Sequence, residues 1–485
     1  ATGFGNVITN SVDASITGAS TTVKSGGLID LTAKDQSHIT SVGLSIAASG
    51  STAISAIIGV NVVTNTVDSL ISGATVKSGT SLDVSAESTS TIFGFAGGVA
   101  ASGSTAVQIT MAGNVVTNKT RAVVTNSADV DAGGSVIISA KDTSIIDAIA
   151  FGVAASGSTA VGVGLSANVI VNTIQATISG GSTLDTSSSL TLTADSSAII
   201  RTLALGVAGS GSTAVQVTAM GNVIVNSVTA TISGTGTDVH AAGDIVIAAT
   251  DIAPSVLTGW NTTSKAIVNT DAAAVNTTNE TIIVSRNPWQ TGDRVKYANG
   301  GGATIGGLVN GETYYVIVDP ADSTRIKLSL TDGGAAIDLT SSGTGTSHTL
   351  TTVTAQTDAL STSLAGSPID PAANILAVNI SVAASGSVAV NAAFTGNVIA
   401  NTIQAKIEDH ASVHSTGGKV DLSADSKSGI IGVTVGVAGS GSVAINATGF
   451  GNVITNSVEA LIEGGSTVIA AGLVNISAED MSTIR

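Results

Sequence analysis

Residues 168–221 read NVIVNTIQATISGGSTLDTSSSLTLTADSSAIIRTLALGVAGSGSTAVQVTAMG. Short alternating runs (TIQATI, SLTLTAD, IIRTLALGV, TAVQVTAM) are separated by GGS, DTSS and GSGS, the pattern of strands joined by tight turns. The opening Asn-x-x-x-Asn recurs. Its first Asn falls at Asn6, Asn61, Asn114, Asn168, Asn222, Asn397 and Asn452, and its second at Asn10, Asn65, Asn118, Asn172, Asn226, Asn401 and Asn456. Successive gaps are 55, 53, 54, 54, 175 and 55 residues. A period this constant marks an array whose units bury apolar surface only against their neighbours.

The composition agrees. Of 485 residues, 43% are apolar, which argues against disorder, and Val, Ile, Thr, Ser and Gly dominate where helix-forming Leu, Glu and Lys are sparse. The fold class predicted is all-β: a parallel β-helix or β-solenoid of seven repeats of about 54 residues, interrupted by a small β-rich inserted domain. A net charge of −16 without a basic patch argues against nucleic acid and anionic membranes as partners. Ala148–Val171 carries no charge, but Ser-Gly-Ser interrupts it and small residues fill it, so no membrane span is expected. The absence of Cys fits a bacterial surface protein.

Within a repeat, alternation places Val or Ile on the inward column after the second Asn in every copy but one, Thr120; Asp13, Asp68, Arg121, Gln175, Thr229, Gln404 and Glu459 then face solvent. Ala followed by polar residues marks a second column at Ala33, Ala86, Ala140, Ala194, Ala249, Ala424 and Ala478. The half-repeat ATISGGSTLDTSSSLTLTAD has the length of one coil, so two coils per repeat are expected. The alternatives are one oversized coil, or a second half folded as a hairpin about Ser-Gly-Ser. The paired Asn residues are read as structural, at a coil corner and bonding backbone groups of the next coil, in preference to ligands for polar groups or glycans.

The rhythm stops between Asp251 and about Leu376. All five Pro, both Trp and all three Tyr lie in this interruption, and all six Phe lie outside it. This gives solenoid over 1–254, insert over 255–375 with Thr/Ser/Gly-rich flanks, and solenoid again over 376–485. Trp289, Tyr297, Tyr314 and Tyr315 are the candidates for stacking on a sugar, with Trp289, beside Pro288, the one expected to be exposed; the competing reading places these rings in the core of a small domain. No catalytic residue, metal site or cofactor is predicted. His410 and His414 have a metal-pair spacing but sit in a strand and turn.

The runs NVIVNTIQATISGGSTL, LTLTADSSA and GVAASGSTAVGVG resemble the repeats of giant bacterial filamentous surface adhesins of the leukotoxin type, and QTGDRVKY, GGLVNGETYYVIVD and IDLTSSGTGTSHTL resemble a small module that punctuates such proteins. The resemblance implies an extracellular or cell-surface fibre used in adhesion. The alternatives are a carbohydrate-binding insert on a solenoid stalk, or a β-helical polysaccharide-cleaving enzyme. Expected partners are other copies of the chain or adjacent repeats of a longer parent, and cell-surface glycans or a receptor on a host or partner cell. Residues 1–12 repeat as 447–458, which suggests a longer array that stacks end to end. Five windows (36–65, 88–118, 143–172, 196–226 and 426–456) carry only Asp147, Arg201 and Lys427 as charges. From them a lateral self-association strip is expected, with small residues such as Ala214 and Ser166 facing outward.

Overall fold

The structure, a computed structural model, describes all residues except 255, 257–264, 269–273, 285–286, 288, 290, 320–321, 332, 345–347 and 353–371, and describes no side chains at 265–268, 322 and 323. Its described residues contain strands and turns but no helix. The chain divides into a solenoid, Ala1–Val256 with Ala372–Arg485, and a second unit, Leu257–Pro371.

Each repeat is one oversized coil, not two. In the third repeat a front strand, Thr105–Thr125, leads through a turn to a short strand, Asp129–Ala132, and then to a back strand, Val136–Ser156, before Gly157 and Ser158 return the chain to the next front strand, Thr159–Ile178. Each strand pairs in parallel with its equivalent one repeat away, as in Asn114↔Asn168 and Ser102↔Ser156. Three sheets result: front, short and back. At about 4.8 Å per coil the seven coils stack to roughly 34 Å, half the height two coils per repeat would give. Ser-Gly-Ser is the narrow corner where the chain passes from back to front sheet. It makes no hairpin ladder, because the strands on either side belong to different sheets.

The turn into the short strand holds residues with positive φ: Gly180 and Gly181 in one coil, Gly464 and Gly465 in another, but Asn126 with Ser127 and Asp409 with His410 elsewhere. All but Ser127 are of the types, Gly, Asn, Asp and His, that visit the left-handed region most readily, and a Cβ at Gly180 would lie 2.8 Å from the Asn126 nitrogen.

The coil has two halves. Around the short sheet the section is a prism packed with Val, Ile and Leu, including Val76, Val130, Leu184 and Val239. Toward Ser-Gly-Ser the front and back sheets face each other directly, and small side chains fill this wing: Ala53, Ala106, Ala160, Ala214 and Ala389 meet Ala100, Ala154, Ala208 and Ala383. Alternation is therefore inverted relative to the expectation for the uncharged windows. Ala214 and Ser166 are 0% and 4% exposed, while Val42, Ile46, Ile54 and Ile58 are exposed by half or more. Two sheets about 10 Å apart leave room between them only for small or slender side chains, so large apolar residues take the outer faces.

The insert interrupts a back strand, between Ile245–Ile252 and Ile375–Ser385, without breaking its sheet. The Ala373 amide donates to the Pro254 carbonyl at 3.1 Å, closing the excursion, and Asn374 and Ile375 already belong to the solenoid ladder. The insert is thus slightly shorter than the predicted 255–375. Its unit is one antiparallel sheet with a core of its own.

If the small columns face inward, Ala214→Lys and Ser166→Lys bury an uncompensated ammonium between the sheets, a loss of several kcal/mol. We expect either variant to lower the denaturation midpoint sharply and to lose β-sheet circular dichroism on mild heating. A midpoint within about 0.5 kcal/mol of the parent would place these residues outside.

Candidate functional site

What distinguishes the solenoid is a polar interior built from the two Asn columns. The first forms a continuous amide ladder. Asn6 Nδ2 donates to Asn61 Oδ1 at 2.9 Å, and so on through Asn114, Asn168, Asn222, Asn397 and Asn452 at 2.7–2.9 Å. These residues lie mid-strand, not at a corner, and they bond side chains. Small residues of the back sheet (Ser41, Gly94, Ala148, Thr202, Ala377 and Gly432) face them; a Cβ at Gly94 would come within 2.9 Å of Asn114 Oδ1.

The second column behaves differently. Several of its members accept a backbone amide of the preceding coil, as Asn172 Oδ1 does from Asn118 N at 3.1 Å and Asn401 Oδ1 from Asn226 N at 2.9 Å. Their amide hydrogens reach a column of the back sheet that reads Asp35, Ser88, Asp142, Ser196, Asp251, Ser426 and Asp480 in paired register. Carboxylates thus occur on every second coil. Asp35 accepts from Asn10 at 2.8 Å and Asn65 at 2.6 Å; Asp142 accepts from Asn118 at 2.8 Å and Asn172 at 2.7 Å. Asn401 donates to Asp251, and Asn456 to Asp480. Each of the first two carboxylates ties two coils together, so the chemical period of the interior is two coils.

Burial without a cation raises Asp142 and Asp251 to about 6, against which the side-chain donors Ser144, Asn118, Ser88 and Asn172 at the first, and Ser196 and Asn226 at the second, hold the charge. The alternation follows from Coulomb's law: two charges 4.8 Å apart repel by roughly 3–4 kcal/mol at an effective dielectric of 20, and twice the spacing halves this. The sequence carried the signal, since these positions lie two residues after the marker Ala column, but it becomes visible only once single coils are aligned.

A third column alternates by volume. Gln108 and Gln216 are fully buried on either side of Gly162, and Gly98, Gly152 and Gly206 stand where any Cβ would meet their amides within 2.4 Å.

The aromatic candidates of the insert are mostly core. Trp289 is 4% exposed and donates its indole N–H to Thr352 Oγ1 at 2.7 Å, which overturns the expectation that it is exposed. Tyr297, fully buried, is hydrogen-bonded to His348 Nδ1 at 2.6 Å and accepts the Ile305 amide; Tyr314 accepts the Val309 amide. A domain of this size needs these rings to fill its interior. Only Tyr315 is half-exposed, with the Arg294 guanidinium 6.0 Å from its ring centre. Trp260 lies outside the described residues. His410 occupies a left-handed turn position, and His414 packs edge-on against His240 of the preceding coil at 5.1 Å instead of pairing with His410. Among the described residues no group of three potential ligands could hold a metal ion, and no helix is long and apolar enough to cross a membrane.

No family model, curated protein or solved structure compared with this chain matches it.

Two predictions follow from the columns. Asn168→Ala leaves the Asn114 amide without its acceptor and takes from the Asn222 carbonyl one of its two donors, the Thr202 hydroxyl remaining, so it should cost about 2–4 kcal/mol, whereas Asn6→Ala, exposed and making one ladder bond, should cost under about 1 kcal/mol; equal losses would mean that the ladder contributes nothing.

The second concerns pH. Folded Asp142 and Asp251 keep their protons up to about 6, while unfolded carboxyls release theirs near 3.8. The folded state therefore binds more protons across that window, and stability falls as pH rises through it. Deleting residues 159–212 removes Ser196 and sets Asp142 beside Asp251; deleting 105–158 removes Asp142 and sets Ser88 beside Ser196. The first deletion should be the less stable at pH 7.5, and should recover at pH 5 or on Asp251→Ser. Equal, pH-independent midpoints would sink the charge argument.

Proposed function

We propose that this chain is a structural and adhesive segment of an extracellular bacterial fibre or giant surface adhesin, in which the solenoid is a stiff spacer and the insert a lateral module. The observation that supports this most is the uninterrupted Asn ladder. Six successive amide bonds, each between identical positions of adjacent coils, make a body whose stiffness grows by repetition and which has no natural length. A non-enzymatic role is consistent with the buried carboxylates, which face Asn and Ser between the sheets instead of a cleft open to a polymer. Its partners in this reading are further coils of the same kind, and a glycan or receptor on the apposed cell. The sugar-binding alternative draws less support, because Trp289, Tyr297 and Tyr314 present no ring to solvent.

The reading is tested on intact cells of the source organism with antibodies raised against the purified chain. Labelling without permeabilisation, lost after brief protease treatment of whole cells, is expected. Labelling only after permeabilisation would refute an extracellular fibre.

A further inference from the structure

The outer surface of the wing is the least expected feature of the molecule. In the five uncharged windows its columns carry Val, Ile, Leu, Met and Phe, and the polar residues lie inside. On the front sheet one column reads Ile58, Met111, Leu165, Ala219 and Phe394, and the neighbouring column, two residues along each strand, reads Val60, Gly113, Ala167, Gly221 and Gly396. The first is a ridge: Ile58, Met111 and Phe394 are 50%, 37% and 48% exposed. The second is the floor of an apolar groove of about 400 Å³ running across the coils. From Met111 to Phe394, each ridge residue stands beside a Gly or Ala of its own coil.

We propose that this front face is the interface with a second copy of the chain, packed sheet on sheet about a two-fold axis parallel to the coil stack. Such an axis, placed between ridge and groove, reverses the order of the columns in the partner and keeps the coils level. The ridge of each copy then lies in the groove of the other: Met111 over Gly113, Leu165 over Ala167 and Phe394 over Gly396 of the same coil. The arrangement is self-complementary and closes at two copies.

Area supports a protein partner. Each sheet residue covers about 16 Å², so the nine positions from the Ile54 to the Val62 column, over six coils, offer a footprint of about 860 Å², more than the roughly 800 Å² per partner of a stable interface. The back face is also apolar outside, but the chain leaves and rejoins the solenoid within a strand of that sheet, at Val256 and Ala372, whereas the insertion interrupts no strand of the front sheet. Matching of large to small residues favours a shaped partner over fluid lipid, and no lysine or arginine among Ile54–Val62 and its equivalents favours an anionic headgroup.

The inference deepens the proposed assembling role and rests on it, but its test is independent of location: cell labelling can fail while the dimer stands, and the converse. Light scattering of the purified full chain should give twice 46.9 kDa. Met111→Lys with Leu165→Lys should weaken association by about 100-fold while keeping the β-sheet spectrum. Because the chain contains no Cys, Met111→Cys can be mixed with Gly113→Cys and treated with a short bis-maleimide. Cross-linked heterodimer exceeding either homodimer is expected, and this holds as a test even if the lysine variant misfolds. A wild-type chain monomeric at about 100 μM, a lysine variant that associates as the parent does, or cross-linking no greater in the mixture would overturn the proposal. So would a monomer that floats with phosphatidylcholine vesicles, which would assign the face to lipid.

Discussion

The amides between the two sheets constrain everything else. An Asn side chain removed from water must find a donor and an acceptor, and in a gap this narrow the nearest candidates are the equivalent Asn one coil above and one coil below. A slip of one residue would carry the Asn side chain to the opposite face of its sheet and strand both ladder neighbours. Apolar columns also resist a slip of one residue, but they tolerate a slip of two, which keeps them on the inner face, because burial is not directional, whereas a slip of two still parts each Asn from its ladder partners. Register along the stack is therefore set by the polar columns, and the Val and Ile of the prism follow it.

The same gap decides which residues face outward. Period-two alternation defines two faces of a strand but does not label them, and the usual assumption assigns the larger apolar set to the inside. In the prism half that assumption holds, as Val76, Leu184 and Ile247 show. In the wing it fails, because two sheets in direct contact accept Ala opposite Ala or Gln opposite Gly, and Val, Ile and Leu are left outside. The exposed apolar faces are thus a consequence of the coil's flatness.

This explains which features were legible from the residues. The all-strand class, the seven-fold period, the solvent-facing column at Asp68 and Arg121, and the separateness of the aromatic insert depend on local pattern and composition, and alternation reports these directly. The number of coils per repeat depends on whether Ser-Gly-Ser turns the chain within one sheet or between two, and the same three residues serve either. Trp289 beside a proline reads as an exposed turn, yet its indole N–H finds a hydroxyl 63 residues away at Thr352, a contact no local rule contains. The near absence of net charge is helped by pairing as well: Asp147 and Arg201, two of the three charges in the uncharged windows, lie in an outward column of the back sheet, pair bidentately across adjacent coils and cancel.

The alternation of Asp with Ser shows that the repeat seen in the sequence is half of the one that physics recognises. Neighbouring coils are alike in backbone but not in charge: a coil bearing Asp needs one bearing Ser on either side, so a Ser coil cannot be lost singly, nor an Asp coil added singly, without setting two buried carboxylates side by side, whereas a change by pairs never does so. The duplicated stretch obeys this rule. Residues 1–12 open the coil of Asp35, and their copy at 447–458 opens the coil of Asp480, six coils further on and in the same phase. The insert obeys it too, since it enters within the coil of Asp251 and changes the length of the chain but not the count of coils. Recombination between single repeats would place two buried carboxylates side by side in half of its products, whereas recombination between pairs never does. Parity in the stack is thus a property that electrostatics imposes on the gene, through residues that no solvent-facing function touches.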